Sequence, residues 1–245
     1  MIRALLVLVA VLAGLAAATV TQGRMHHLRL ALPAALPGWT DMVEAEAGLL
    51  SGRAALPGTE RALMLGWEAR MPVAEGLRWR VTVTGEGIAL AGTLTLSWAL
   101  DRAAIDGGGG QVELARVTQM PVSGLVQVNR LSGTVDDLRG TPRPALRVLG
   151  AIRRAQFEDR ALGDGPFEAQ LDPLLSWRAR GALSGGVAEI TARLTGRLPA
   201  RTAGLDLSVA DGPDLPQDWR DLLSLAADRD ESGWTLRQTV PIPGL

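Results

Sequence analysis

The chain has 245 residues, of which 47% are hydrophobic, so it is long and apolar enough for one large β domain or two small ones. Its formal net charge is −1 and all 25 basic residues are arginine, which leaves no basic surplus to follow a nucleic-acid backbone. The absence of cysteine excludes disulfides, thiolate metal sites, cysteine nucleophiles and a lipidated N-terminal cysteine.

The first predicted element is an apolar N-terminal helix. The stretch from Ala4 to Val20 contains no charged residue. As a helix it would be roughly 26 Å long, close to the ~30 Å hydrocarbon core of a bilayer. We therefore predict a transmembrane helix, or an uncleaved signal anchor, over residues 4–21, with residues 1–3 as a cytoplasmic tail. Cleavage near Ala18 is the alternative, since signal peptides end in small residues.

A linker and an exported domain are predicted to follow. Residues 22–44 contain "LPAALPGW", whose two prolines and glycine are typical of a stalk or turn. His26 and His27 lie in this stretch without further ligands at a metal-binding spacing, so we interpret them as solvated. The short N-terminal tail favours the cytoplasmic side for the N-terminus, which places an exported β domain at residues 45–245.

Alternation of apolar and polar residues dominates the predicted β domain. A strand is predicted over residues 63–71, and "LRWRVTVTGEGIALAGTLTLSWAL" predicts two more strands over residues 77–100. The turn between them is expected at Gly85 to Gly87, and a bulge at Ala91 and Gly92. Shorter alternating runs predict strands around residues 112–114, 126–128, 167–171, 175–179, 190–194 and 205–209. Turns are predicted at the glycines within residues 107–110, 163–165 and 185–186.

This pattern predicts a mainly β protein in which the N-terminal transmembrane helix is followed by an antiparallel twisted sheet, a sandwich or an open roll. The segment "DLPQDWRDLLSLAAD" differs, because its apolar residues recur at i, i+3, i+4 and i+7, namely Trp219, Leu222, Leu223 and Ala226. We predict one short amphipathic helix there, with Asp214 as a possible cap, covering one end of the sheet.

The sequence contains none of the common catalytic or nucleotide-binding motifs. No histidine follows residue 27, so the predicted β domain lacks a side chain that ordinarily titrates near neutral pH. We therefore predict no enzymatic activity and no catalytic, cofactor-binding or metal-binding residues. The candidate functional surface is an apolar strand face bearing four tryptophans, which is either an ordinary core or an interaction or groove face: Trp67, Trp79, Trp98 and Trp177.

Several of these features together resemble the type II secretion system protein N (GspN) family. The segment "AGLLSGRA", residues 47–54, is similar to that family's G-T-L-W-S-G-x-A signature, with matches at Leu49, Ser51, Gly52 and Ala54. The segment "LGWEARMP" and the alternating run that follows it resemble the family's Trp-containing strand and hairpin. The later stretches "LSGTV" and "LLSWRARGALSGG" also suit its repetitive β pattern.

The resemblance implies a single-pass inner-membrane accessory protein of the type II secretion system. Its periplasmic β domain would contact other inner-membrane secretion components and would have no catalytic role. An alternative is a periplasmic lipid-handling protein similar to AsmA-like proteins, in which the four tryptophans would line acyl chains in an apolar groove. A third hypothesis, a secreted enzyme, needs both signal-peptide cleavage and a pair of carboxylates in a pocket.

Overall fold

The structure, a computed structural model, describes residues 48, 50–56, 63–117, 121–198, 200 and 202–241. The predicted transmembrane helix over residues 4–21 and the predicted linker over residues 22–44 lie outside the described residues. Among the helices of the described residues, none is long and apolar enough to cross a membrane.

The described chain contains thirteen strands and two short helices. Its first half comprises β1 (Ser51–Leu56), β2 (Leu63–Val73), β3 (Gly76–Gly85), β4 (Ile88–Ser97), β5 (Arg102–Glu113), α1 (Leu114–Val117) and β6 (Val122–Asp136). Its second half comprises β7 (Arg143–Phe157), β8 (Arg160–Leu171), β9 (Ser176–Gly185), β10 (Ile190–Arg197), β11 (Thr202–Ala210), α2 (Gln217–Ala226), β12 (Asp228–Asp230) and β13 (Gly233–Pro241). The prediction of a mainly β protein is confirmed.

All thirteen strands belong to one antiparallel sheet. From β1 to β11, neighbours in the sheet are also neighbours in the sequence, whereas at the far edge β13 pairs with β11 and β12 lies outermost. Of the three predicted arrangements, the described residues therefore form a single meandering sheet rather than a two-layer sandwich. At about 4.8 Å between strands, thirteen strands span roughly 58 Å.

The strand register sorts the side chains onto two chemically different faces. One row of directly opposed residues crosses β2 to β11 and β13 without meeting a polar side chain: Ala69, Trp79, Leu94, Ile105, Gly133, Leu146, Leu171, Trp177, Gly196, Ala203 and Val240. We call this side the apolar face. The other side, the polar face, carries most of the charged strand residues. The period of two in the sequence produces this division, because successive side chains of a strand point to opposite faces.

The predicted hairpin of β3 and β4 is confirmed, with one difference at its end. β3 ends at Gly85 and β4 begins at Ile88, and Gly87 has a φ of 73°, as the predicted glycine turn requires. A register shift against β5 confirms the predicted bulge near Gly92. However, β4 ends at Ser97, because Ser97 Oγ accepts hydrogen bonds from the following turn and donates one to Asp101.

The predicted turns over residues 107–110 and 163–165 are wrong, because both stretches lie inside strands, β5 and β8. Gly110 has a φ of 144°, and a Cβ at this position would clash with the carbonyl oxygen of Ala89 on the neighbouring strand. Register shifts in β5 also mark bulges on both sides of Gly108. Glycine serves here for close strand approach and bulging rather than for chain reversal.

The predicted amphipathic helix is confirmed as α2. Pro216 occupies the N-cap position and no side chain caps the helix, so the expected role of Asp214 as the cap is wrong. Trp219 and Leu223 pack against a buried cluster of Ala188, Val209, Leu215 and Trp234. Leu222, predicted on the same stripe, is 65% exposed instead. The helix therefore covers the end of the apolar face through an i, i+4 pair.

Candidate functional site

Two small clusters cover opposite ends of the apolar face. The cluster beneath α2 lies where β10 and β13 begin and β11 ends. The second cluster, at the other end of the strands, contains Leu96 and the loop residue Leu138, with Leu100 packed against them. Between the clusters, side chains such as Val148 and Phe167 are only half-buried. The central apolar face over β7 to β9 is thus only partly covered.

The structure brings three of the four predicted tryptophans to the apolar face. Trp79 and Trp177 lie on the same row of opposed residues, and Trp67 lies on the next row, where it is buried and donates a hydrogen bond to the carbonyl oxygen of Gly48 (3.0 Å). Trp177 is half-buried, and its indole N–H has no acceptor among the described residues. Its ring lies directly over Gly196.

Trp98 differs from the other three tryptophans in position. It follows the end of β4, is 57% exposed and donates a hydrogen bond to the carbonyl oxygen of Ala74 (3.1 Å). Met71 and Leu174, which are 84% and 72% exposed, also lie at this end of the strands. The apolar face therefore continues into exposed apolar side chains at its strand ends.

The residues that match the GspN signature fall at the first edge of the sheet. Ser51, Gly52 and Ala54 belong to β1 and pair with β2, whereas Leu49 lies outside the described residues. The backbone N–H of Ala69 donates to the carbonyl oxygen of Leu50, so the signature segment is joined to β2 by main-chain bonds as well as by the bond from Trp67.

A dense group of charges occupies the polar face over β7 to β10. We define the arginine cluster as Arg147, Arg178, Arg180 and Arg193 together with Glu168 and Gln170. Arg147 Nε donates to Glu168 Oε1 (2.8 Å) and Arg180 Nε donates to Glu168 Oε2 (3.0 Å). Gln170 also donates to Glu168 and accepts from Arg178 Nε (3.0 Å). One carboxylate thus stands among four guanidinium groups.

Glu168 is the most buried member of this cluster, with a side chain that is only 11% exposed. The hydrogen bonds from Arg180 and Gln170, together with the positive charge of Arg147, hold the pKa of the Glu168 carboxyl below its ordinary value. The carboxylate therefore stays ionised at any physiological pH and anchors two of the arginines.

Sequence reasoning missed this cluster. Its members are spread from residue 147 to residue 193, and the strand register alone makes them neighbours. The local signal is the "RAR" of Arg178 and Arg180, because residues two apart in a strand lie on one face. The near-zero net charge of the chain gives no hint of a locally basic surface.

In the described residues, no group of three or more histidine, cysteine, aspartate or glutamate side chains is arranged to hold a metal ion. The described residues thus form a single antiparallel sheet with one apolar and one charged face. In comparisons with known proteins, no family model, no curated protein and no solved structure matches the chain.

Proposed function

We propose that the protein is a non-enzymatic accessory component of the type II secretion system, held at the inner membrane with its β sheet in the periplasm. One observation carries this proposal: the sheet presents an apolar face about eleven strands wide whose centre is only half-buried. An apolar surface of this extent is stabilised when a partner covers it. The GspN-like signature in β1 is what favours a secretion component as the partner.

The exposed apolar side chains at one end of the strands support a position at a membrane surface. Trp98 presents its ring beyond the end of β4, and Met71 and Leu174 are exposed at neighbouring strand ends. Tryptophan is enriched at the boundary between lipid and water, where its ring is amphipathic. We expect this end of the sheet to face the bilayer that holds the predicted N-terminal anchor.

The second candidate function is lipid handling in the manner of AsmA-like proteins. The row of residues from Ala69 to Val240 favours it, because this row contains no charged or hydroxyl side chain over eleven strands. An acyl chain needs a surface of this kind, since burying a charge against it is costly.

One photocrosslinking experiment tests both candidates. A benzophenone amino acid replaces Val148 at the centre of the apolar face, and the matched control replaces Gln127, which is exposed on the polar face. The full-length protein is irradiated in intact cells, purified and analysed by mass spectrometry. The secretion proposal predicts adducts to inner-membrane secretion proteins at position 148 and few at position 127.

Adducts to proteins and adducts to lipids at position 148 are distinguished by their mass. Adducts of several hundred daltons that match phospholipids would favour lipid handling over the secretion proposal. If the benzophenone at position 148 crosslinks only within its own chain, an internal cover occupies the apolar face and both proposals fail.

A further inference from the structure

We propose that the arginine cluster on the polar face is a binding site for a phosphate group, carried by a lipid headgroup or free in solution. This site lies on the opposite face from the proposed partner or lipid surface. It therefore rests on different residues and does not depend on the proposed function.

The first argument is the order of charges across the strands. The register places Glu168 opposite Arg180, Arg180 opposite Arg193, and Arg193 opposite Asp206. Two arginines directly opposite each other in a sheet repel, and the pair is destabilising unless an anion lies between or beside them. Glu168 is already bonded to Arg147 and Arg180, so within the opposed pair it offsets the charge of Arg180 but not that of Arg193.

The second argument is the state of Arg193. No hydrogen bond or ion pair of its side chain is found within the part of the chain that the structure describes. Asp206, its other cross-strand neighbour, pairs instead with Arg237 (3.5 Å) on the next strand. Within the described part of the chain, the Arg193 guanidinium group thus has no bonded partner, and it lies on the polar face opposite the positive charge of Arg180.

The third argument is the shape of the surface. A depression of about 350 Å³ is lined by Arg178, Arg180 and Arg193, together with Glu168 and Gln170 at its wall. It adjoins a larger depression of about 760 Å³ that Arg180 and Arg193 also line. Three guanidinium groups therefore border one concave site that is open to solvent.

These features fit phosphate better than a carboxylate. A guanidinium group binds phosphate through two parallel hydrogen bonds, and a phosphate offers three or more acceptor oxygens and up to two negative charges. Arg178 donates to the neutral Gln170, and Arg193 has no partner among the described residues, so two positive charges remain for the ligand. Glu168 keeps Arg180 in place at the edge of the site.

Calorimetric titration of the full-length protein in dodecyl maltoside tests the proposal. The probes are inorganic phosphate, dihexanoyl phosphatidic acid, dihexanoyl phosphatidylcholine and hexaglutamate. We expect saturable binding of at least one of the first two probes, weakened by added salt.

Two variants test the arginine cluster directly. Arg193→Gln should reduce the affinity at least tenfold, and Arg178→Gln should do the same. Arg102→Gln, which removes an exposed arginine paired with Asp136 elsewhere on the polar face, should change it less than twofold.

The probes also distinguish the source of the phosphate. Equal binding of inorganic phosphate and phosphatidic acid would support a site for the phosphate group alone, whereas binding of phosphatidic acid only would support a lipid headgroup. The proposal is overturned if neither probe binds, if only hexaglutamate binds, or if both arginine variants retain wild-type affinity with an unchanged circular dichroism spectrum. Hexaglutamate binding alone would point to an acidic protein segment as the ligand.

Discussion

The C-terminal end of the apolar face and its centre arise from the same alternating sequence pattern, yet they differ in cover. At the C-terminal end, α2 and Leu215 bury Trp234 to 7% exposure. At the centre, Phe167 stands over Gly150 and is only half-buried. Alternation therefore specifies that a face is apolar, whereas the elements that follow each strand decide whether that face becomes a core or a surface.

The largest expected effect comes from removing the covered aromatic residue. Trp234→Ala should lower the free energy of unfolding by about 3–5 kcal/mol, because it leaves a cavity beneath α2. Phe167→Ala is the matched aromatic deletion at the centre and should cost about half as much, since its ring is partly exposed already. Urea unfolding in detergent, followed by circular dichroism, measures both values. Equal losses would contradict the difference in cover.

The cover itself can be weakened from the helix side. Trp219 contacts Phe157 edge-on, with ring centroids 5.9 Å apart, and packs on the cluster around Trp234. Trp219→Ala should lower the free energy of unfolding by roughly 2 kcal/mol and increase hydrogen exchange in α2 and at the start of β13. Leu222→Ala on the exposed side of the same helix is the control. An exchange rate in α2 that stays at the wild-type value would show that Trp219 does not hold the helix.

On the polar face, Glu168→Gln should change how stability depends on pH. The folded-state pKa of Glu168 is lowered, so its stabilising contribution is present above the unfolded pKa of about 4.3 and is lost as the pH falls through the folded pKa. The wild type should therefore lose stability below about pH 4 more steeply than the variant. Thermal unfolding between pH 7 and pH 3 measures the two profiles, and Glu75→Gln is the control at an exposed glutamate. Parallel profiles for the wild type and Glu168→Gln would rule out this contribution.

The smallest effect is expected at the outer surface of α2. Leu225 is 85% exposed, so Leu225→Ser should change the free energy of unfolding by less than about 0.5 kcal/mol. The same urea titration measures this change. A loss above 1 kcal/mol would indicate that the outer side of α2 is also packed against other residues. The contrast between a packed and an exposed side of the helix would then be wrong.

The sequence allowed most strands to be predicted but not their arrangement. Alternation around Trp79 and a glycine turn before Ile88 are local signals, so the β3–β4 hairpin was predictable. The predicted turn at Gly110 is wrong because glycine is favoured both in turns and where strands approach closely, and the sequence does not distinguish the two uses. Alternation continues past Ser97 and therefore predicts Trp98 on the strand, whereas hydrogen bonds to the Ser97 side chain end the strand there.

Of the two candidate sites, the tryptophan-bearing face was predictable from local sequence and the arginine cluster was not. Trp67, Trp79 and Trp177 could be assigned to an apolar face because each lies in an alternating run. The arginine cluster could not be assigned, because Arg193 meets Arg180 through pairing of β9 and β10 rather than through spacing along the chain. Identifying such a cluster requires the register of several strands at once.

The sequential order of the strands has a consequence for how the chain acquires its structure. Each strand from β2 to β11 finds its partner in the segment made just before it, so pairing can advance from the N-terminal side during synthesis without waiting for distant sequence. The exception is at the C-terminal edge, where α2 and β12 lie between β11 and β13 in the sequence although β13 pairs with β11. Because this pairing closes a longer loop than the pairings before it, we expect it to form last.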